Sequence, residues 1–283
     1  SKKFFRYSSP LIYLSPVVFL STNFDRWIIQ KYYGSFQQGN YEFAWKLGNV
    51  IFLITASFLP LLQRELSVAI EKKDFKLAKK YFYHFGYILF FITSFFSIFI
   101  ISNSEFIAAW LVGKDYADSS RILPIILFFN MYKVKAFFML TIYYALEKTR
   151  EISKINLITY VVGIPTVSLL VLPKNLFGLE LGIQGLALKL LIIQFLFLFL
   201  CIKYLDKRLS INHISVFIKE LVVILILFLC IKLSMYTTQI IELSTLSTFF
   251  LTGIVYSIFS SLVLLLSLKF FGINIDFKNF KVR

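Results

Sequence analysis

Apolar residues come in blocks of about twenty along this chain, the length a helix needs to cross the hydrocarbon of a bilayer. Eight blocks are read as spans, at 8–33, 41–62, 81–102, 120–146, 155–172, 181–202, 214–235 and 243–268. Pro16, Pro60, Pro124 and Pro165 fall inside them. Proline is tolerated in a spanning helix because neighbouring helices satisfy the freed backbone groups. Pro16 and Pro165, far from span ends, are the expected kinks. Two connectors carry structure of their own. The stretch 64–80 is predicted as a basic amphipathic helix at the inner interface. The connector 105–119 is predicted to hold a short helix at the outer surface, stopped at Gly113.

Composition agrees with the blocks. Of 283 residues, 58% are hydrophobic and 19% aromatic, and the mean hydropathy is +0.77, which excludes a soluble domain. No signal-peptide pattern opens the chain. Ser1 stands where an initiator Met would, so a segment of a longer protein is expected. Cys201 and Cys230 sit in separate apolar blocks without metal-ligand spacing and are read as buried small hydrophobes. His84 and His213 are isolated and are read as interface residues.

The net charge of +15 is distributed unevenly. Lysine and arginine crowd alternate connectors: Lys2–Arg6, Arg64–Lys80, Lys148–Lys154, Lys203–Lys219 and Lys269–Arg283. The other connectors carry only Lys31, Lys114, Arg121, Lys174 and Lys232. The positive-inside rule makes the first set cytoplasmic and puts both termini of the segment inside. Basic loops beside anionic lipid account for the charge, and no nucleic acid is needed as a partner.

Five bases remain once the connectors and the block ends beside them are counted: Arg26, Lys46, Lys133, Lys135 and Lys189. Asp25 is read as the one acid among them. At 1.5 Å per residue, Asp25 and Arg26 lie ~25 Å from the inner end of their span, and Lys46 about 8 Å from the outer end of the next. A pairing of Asp25 with Lys46 or Arg26 is expected. Lys133 and Lys135 come roughly 20 Å into their span, and Lys189 about 10 Å into its own. Two residues apart on a helix, Lys133 and Lys135 point to nearly opposite sides, so one of them is expected to face the main cavity. Ionisable groups at such depth line wet paths by default. An excess of positive charge suits an anion such as phosphate or diphosphate.

The segment Asn23-Phe24-Asp25-Arg26-Trp27-Ile28-Ile29, followed by Tyr32-Tyr33-Gly34 and Gly39-Asn40-Tyr41-Glu42-Phe43-Ala44-Trp45-Lys46, resembles the Asp-Arg region of Wzx-type polysaccharide flippases. These belong to the MOP superfamily, with the MATE exporters and the lipid II flippase MurJ. Leu111-Val112-Gly113-Lys114-Asp115-Tyr116 with Ile122-Leu123-Pro124, Tyr144-Ala145-Leu146-Glu147-Lys148-Thr149, and Gly182-Ile183-Gln184-Gly185 are similar to later family motifs in the same order, with Glu147 replacing the usual Gly. The resemblance covers about Pro10 to Leu205.

It implies an all-α polytopic membrane protein of about eight transmembrane helices. Residues 1–206 would be the second six-helix lobe, and 207–283 two additional C-terminal helices. The first lobe would be a partner supplied by the same protein. The implied function is flipping of an undecaprenyl-diphosphate-linked oligosaccharide across the bacterial inner membrane, for O-antigen or capsule synthesis, alongside polysaccharide polymerase machinery. Asp25, Arg26, Lys46, Lys133, Lys135 and Lys189 would line the head-group cavity. No catalytic residue, cofactor or metal is called for, beyond coupling to a proton or sodium gradient. The rivals are a MurJ-like lipid II flippase, a MATE-like exporter and a membrane polysaccharide polymerase. No connector is long enough for a soluble catalytic module.

Overall fold

In lipid the backbone must satisfy its own polar groups, which leaves helices or closed barrels. The computed structural model describes residues 2–113, 117–205, 211–241 and 244–270, and every regular element among them is helical. In order they are α1 (Lys2–Ala56), α2 (Leu59–Glu71), α3 (Phe75–Ser102), α4 (Ser104–Val112), α5 (Ala117–Ala145), α6 (Thr149–Val171), a 3₁₀ turn (Lys174–Leu176), α7 (Gly182–Tyr204), α8 (His213–Gln239) and α9 (Thr245–Phe270). Six helices, α3 and α5 to α9, are long and apolar enough to cross a membrane. The chain is thus a polytopic helical membrane protein of the expected class.

α1 is a hairpin and not a rod. Its backbone leaves helical geometry at Gly34, with φ 83° and ψ 171°. A straight helix would separate Arg26 from Glu42 by about 24 Å, yet their side chains form an ion pair at 3.0 Å. The arms 2–33 and 35–56 therefore run antiparallel, eight residues on each side of Gly34 bringing the pair together. These arms are less apolar than the six helices above and are not among those long and apolar enough to cross a membrane, but they overlap the first two expected spans. The expected loop at 34–40 is reduced to one residue. Its polar run continues as helix because Gln37 donates to Asp118 at 2.9 Å and Asn40 accepts from the Ser119 amide at 3.2 Å. The helices run unbroken through Pro16 and Pro165, and the interruption falls at Gly34 instead.

α5 is the axis of the bundle. Buried residues make up 72% of its most apolar stretch, against 17% for α9 at the periphery. The α1 hairpin, α7 and α3 pack around it, α6 lies between the hairpin and α7, and α8 and α9 attach through α3. One apolar cluster gathers Ile122, Leu123 and Ile126 of α5 with Ile28, Ile29, Val167 and Leu186. A second gathers Tyr132, Phe138 and Tyr143 with Phe82, Phe90, Leu198 and Leu227.

α2 buries Leu62, Leu66 and Ala69, one stripe of an amphipathic helix, and Pro60 occupies its first turn. The helix expected over 64–80 is broken at 72–74. Asp74 caps α3, its side chain accepting from the Leu77 amide, so Lys76, Lys79 and Lys80 belong to the first turns of that helix. α4 ends at Gly113 with φ 91°. The boundary expected between 206 and 207, the Lys114-Asp115-Tyr116 motif, and Lys207, Arg208, Lys278, Lys281 and Arg283 lie outside the described residues.

Candidate functional site

A cavity of about 450 Å³ opens between the hairpin, α5, α6 and α7. The first arm supplies Ser21, Thr22, Asp25 and Arg26, and the second Tyr41, Glu42 and Trp45. Phe129, Lys133 and Phe137 enter from α5, Asn156, Thr159 and Tyr160 from α6, and Lys189 and Gln194 from α7. The lining is mostly apolar with a few convergent polar groups, the usual make-up of a small-ligand site.

The charges are arranged in three ways. Lys189 donates from Nζ to Asp25 Oδ2 at 2.6 Å, and both side chains are largely buried. Asp25 Oδ1 is buried with no hydrogen-bond partner. Lys189 reaches Asp25 through a slot at Gly163, where a Cβ would stand 3.2 Å from Lys189 Cε. Arg26 pairs with Glu42 nearer the cavity mouth, where half of the Arg26 side chain is exposed. Lys133 has no carboxylate partner among the described residues. Its Nζ donates to Asn49 Oδ1 at 3.0 Å and lies 4.1 Å from the centroid of Phe52, 5.3 Å from Trp45 and 5.7 Å from Phe129. Ring faces attract an ammonium without neutralising it.

Two sequence-based candidates do not reach this cavity. Lys46 is exposed, one turn from Val50, and does not line the cavity, and the partner of Asp25 is Lys189 in place of the expected Lys46 or Arg26. Lys135 turns to the far side of α5 and donates to Glu220 of α8 at 2.8 Å, both groups being buried. Asp25 is also not the sole acid within the bundle. Glu42 and Glu220 both neutralise bases there, so the expected large positive excess reduces in the cavity to a single uncompensated lysine. Glu42 stood in plain view within the Asp-Arg region, and Glu220 within the span at 214–235, beside the Lys219 that was counted with the connector.

The architecture is that of a helical membrane bundle built round an axial helix, with a charged cavity among its helices. The MatE family model matches residues 10–169, more than half of the chain, and the chain belongs to that family. Its members are transporters and not enzymes. No curated protein and no solved structure matches the chain.

Proposed function

We propose that this chain is the second lobe, 1–206, plus two additional helices, 207–283, of a flippase for an undecaprenyl-diphosphate-linked oligosaccharide in the bacterial inner membrane. The observation that carries the reading is Lys133. A lysine held between an amide oxygen and three aromatic rings keeps its charge available for an incoming anion. Arg26 and Lys189 stand in the same cavity, each joined to a carboxylate that a diphosphate can displace. Such an exchange leaves Asp25 and Glu42 without counter-ions, and proton uptake by either couples translocation to a proton gradient. The polyprenyl tail remains in lipid and no covalent step occurs.

The exposed surface of the hairpin supports the same reading. Asn23, Arg26, Gln30 and Lys46 are exposed on it among apolar residues. Polar groups at membrane depth front protein or water, not acyl chains. A second lobe across an aqueous path, rocking against this one, satisfies them. The basic connectors support cytoplasmic termini for the segment.

A MATE-like exporter of cations is the second reading, and Glu42 favours it by adding a second carboxylate to the cavity. Deletion of the full-length gene separates the two. A flippase deletion loses surface polysaccharide and accumulates finished lipid-linked repeat units on the inner leaflet. Altered drug sensitivity with normal polysaccharide supports the exporter. Complete repeat units already outside the membrane move the function to polymerisation.

A further inference from the structure

The pair Lys135–Glu220 lies outside the cavity, and transport as described above does not use it. Its distance is 2.8 Å and neither side chain is more than a tenth exposed. It joins the axial helix α5 to α8, a helix that contributes no residue to the cavity lining. An apolar setting surrounds it: Phe82, Tyr87, Phe90, Phe138 and Val216. Two charges taken out of water in such surroundings add little net stability, because desolvation consumes most of their attraction. What a buried pair can supply is direction, where one arrangement alone satisfies both groups.

Direction matters on α5. Lys133 and Lys135 stand about 200° apart on the helix. A rotation that carried Lys135 away from Glu220 would carry Lys133 away from Asn49 and the three rings. Lys133 has no carboxylate of its own to hold it in place. We infer that Lys135 and Glu220 are positioning residues: from the back of α5 they fix the rotation that presents Lys133 to the cavity, and they make α8 part of the transport machinery without touching the substrate.

The activity readout rests on the proposed flippase reading, and the geometric readout does not. In the full-length protein, with Cys201 and Cys230 replaced by Ala, Lys133→Cys is introduced and its modification by a hydrophilic thiol reagent is timed in membranes. This is repeated with Lys135→Met/Glu220→Leu, an apolar pair that keeps the packing, and with the reversed pair Lys135→Glu/Glu220→Lys. The expected result is slower modification in the apolar pair and recovery in the reversed pair. With Lys133 intact, transport should follow the same order: lost in the apolar pair, regained in the reversed pair. A folded apolar pair with the wild-type modification rate overturns the inference. A slowed rate without any change in surface polysaccharide upholds the positioning role and counts against the proposed substrate.

Discussion

Asp25 and Lys189 are 164 residues apart in sequence and 2.6 Å apart in the fold. The pair is nearly dry, so removing one member leaves a buried charge alone. Lys189→Met is expected to cost roughly 3–5 kcal/mol, the range for an orphaned buried ion, while Lys189→Met/Asp25→Leu recovers most of it. Thermal unfolding of the three proteins in detergent checks this, and equal loss in single and double variants refutes the pairing. Gly163 gives a milder test. Ala at 163 asks Lys189 to yield by a few tenths of an ångström, which a flexible stem can do, whereas Leu fills the slot. Gly163→Ala should leave stability near wild type and Gly163→Leu should reproduce the Lys189→Met loss. At this scale the sequence was legible in part. Helical geometry alone put Lys133 and Lys135 on opposite sides of α5. Which acid meets Lys189 or Lys135 was not legible, because Asp25 and Glu220 come from distant helices and the pairing depends on how the helices are rotated in the bundle.

Among the elements, the hairpin depends most on one residue. Gly34 sits at φ 83° and ψ 171°, a region only glycine occupies freely, yet a Cβ there would meet nothing within 4 Å. The cost of Gly34→Ala is therefore backbone strain without collision, about 1–3 kcal/mol. The turn is also held from outside: Tyr33 donates to the Val171 carbonyl at 2.7 Å, and Gln37 to Asp118. Gly34→Ala should lower the melting temperature and loosen the Arg26–Glu42 contact. Cross-linking of cysteines at 26 and 42 by a short bifunctional thiol reagent, efficient with Gly34 and inefficient with Gly34→Ala, reads the approach of the two arms. Most helices were visible in the hydropathy blocks to within about six residues at either end, since long apolar stretches have no alternative in lipid. The one-residue turn was hidden because the polar run after Gly34 looks like a loop until Asp118 and Ser119 are found to satisfy it. The break between α2 and α3 was hidden among lysines that suit either an interfacial helix or the start of a span.

On the scale of the whole molecule, the outward faces differ in chemistry, and the difference says which of them meets lipid. Val161 of α6 and Phe199 of α7 are exposed on faces dominated by apolar residues. Asn23 and Lys46 are exposed on the hairpin, alongside Arg26 and Gln30. Polar and charged groups at membrane depth are costly against hydrocarbon, so on the proposed reading the hairpin face is expected to front a water-filled path. Thiols ionise and react with hydrophilic maleimides only where water reaches them. Cysteines at 23 and 46 in the full-length protein should therefore be modified in intact membranes, and those at 161 and 199 should stay inert until detergent is added. Excess lipid-linked substrate should protect position 23, which adjoins the cavity-lining Thr22 and Asp25–Arg26, more than position 46, which is not part of the lining. Uniform inertness at all four positions would place the hairpin in lipid and remove the aqueous path on which both the flippase and the exporter readings depend. Labelling at 23 and 46 without protection would keep the path and leave the lipid-linked oligosaccharide unsupported as its cargo.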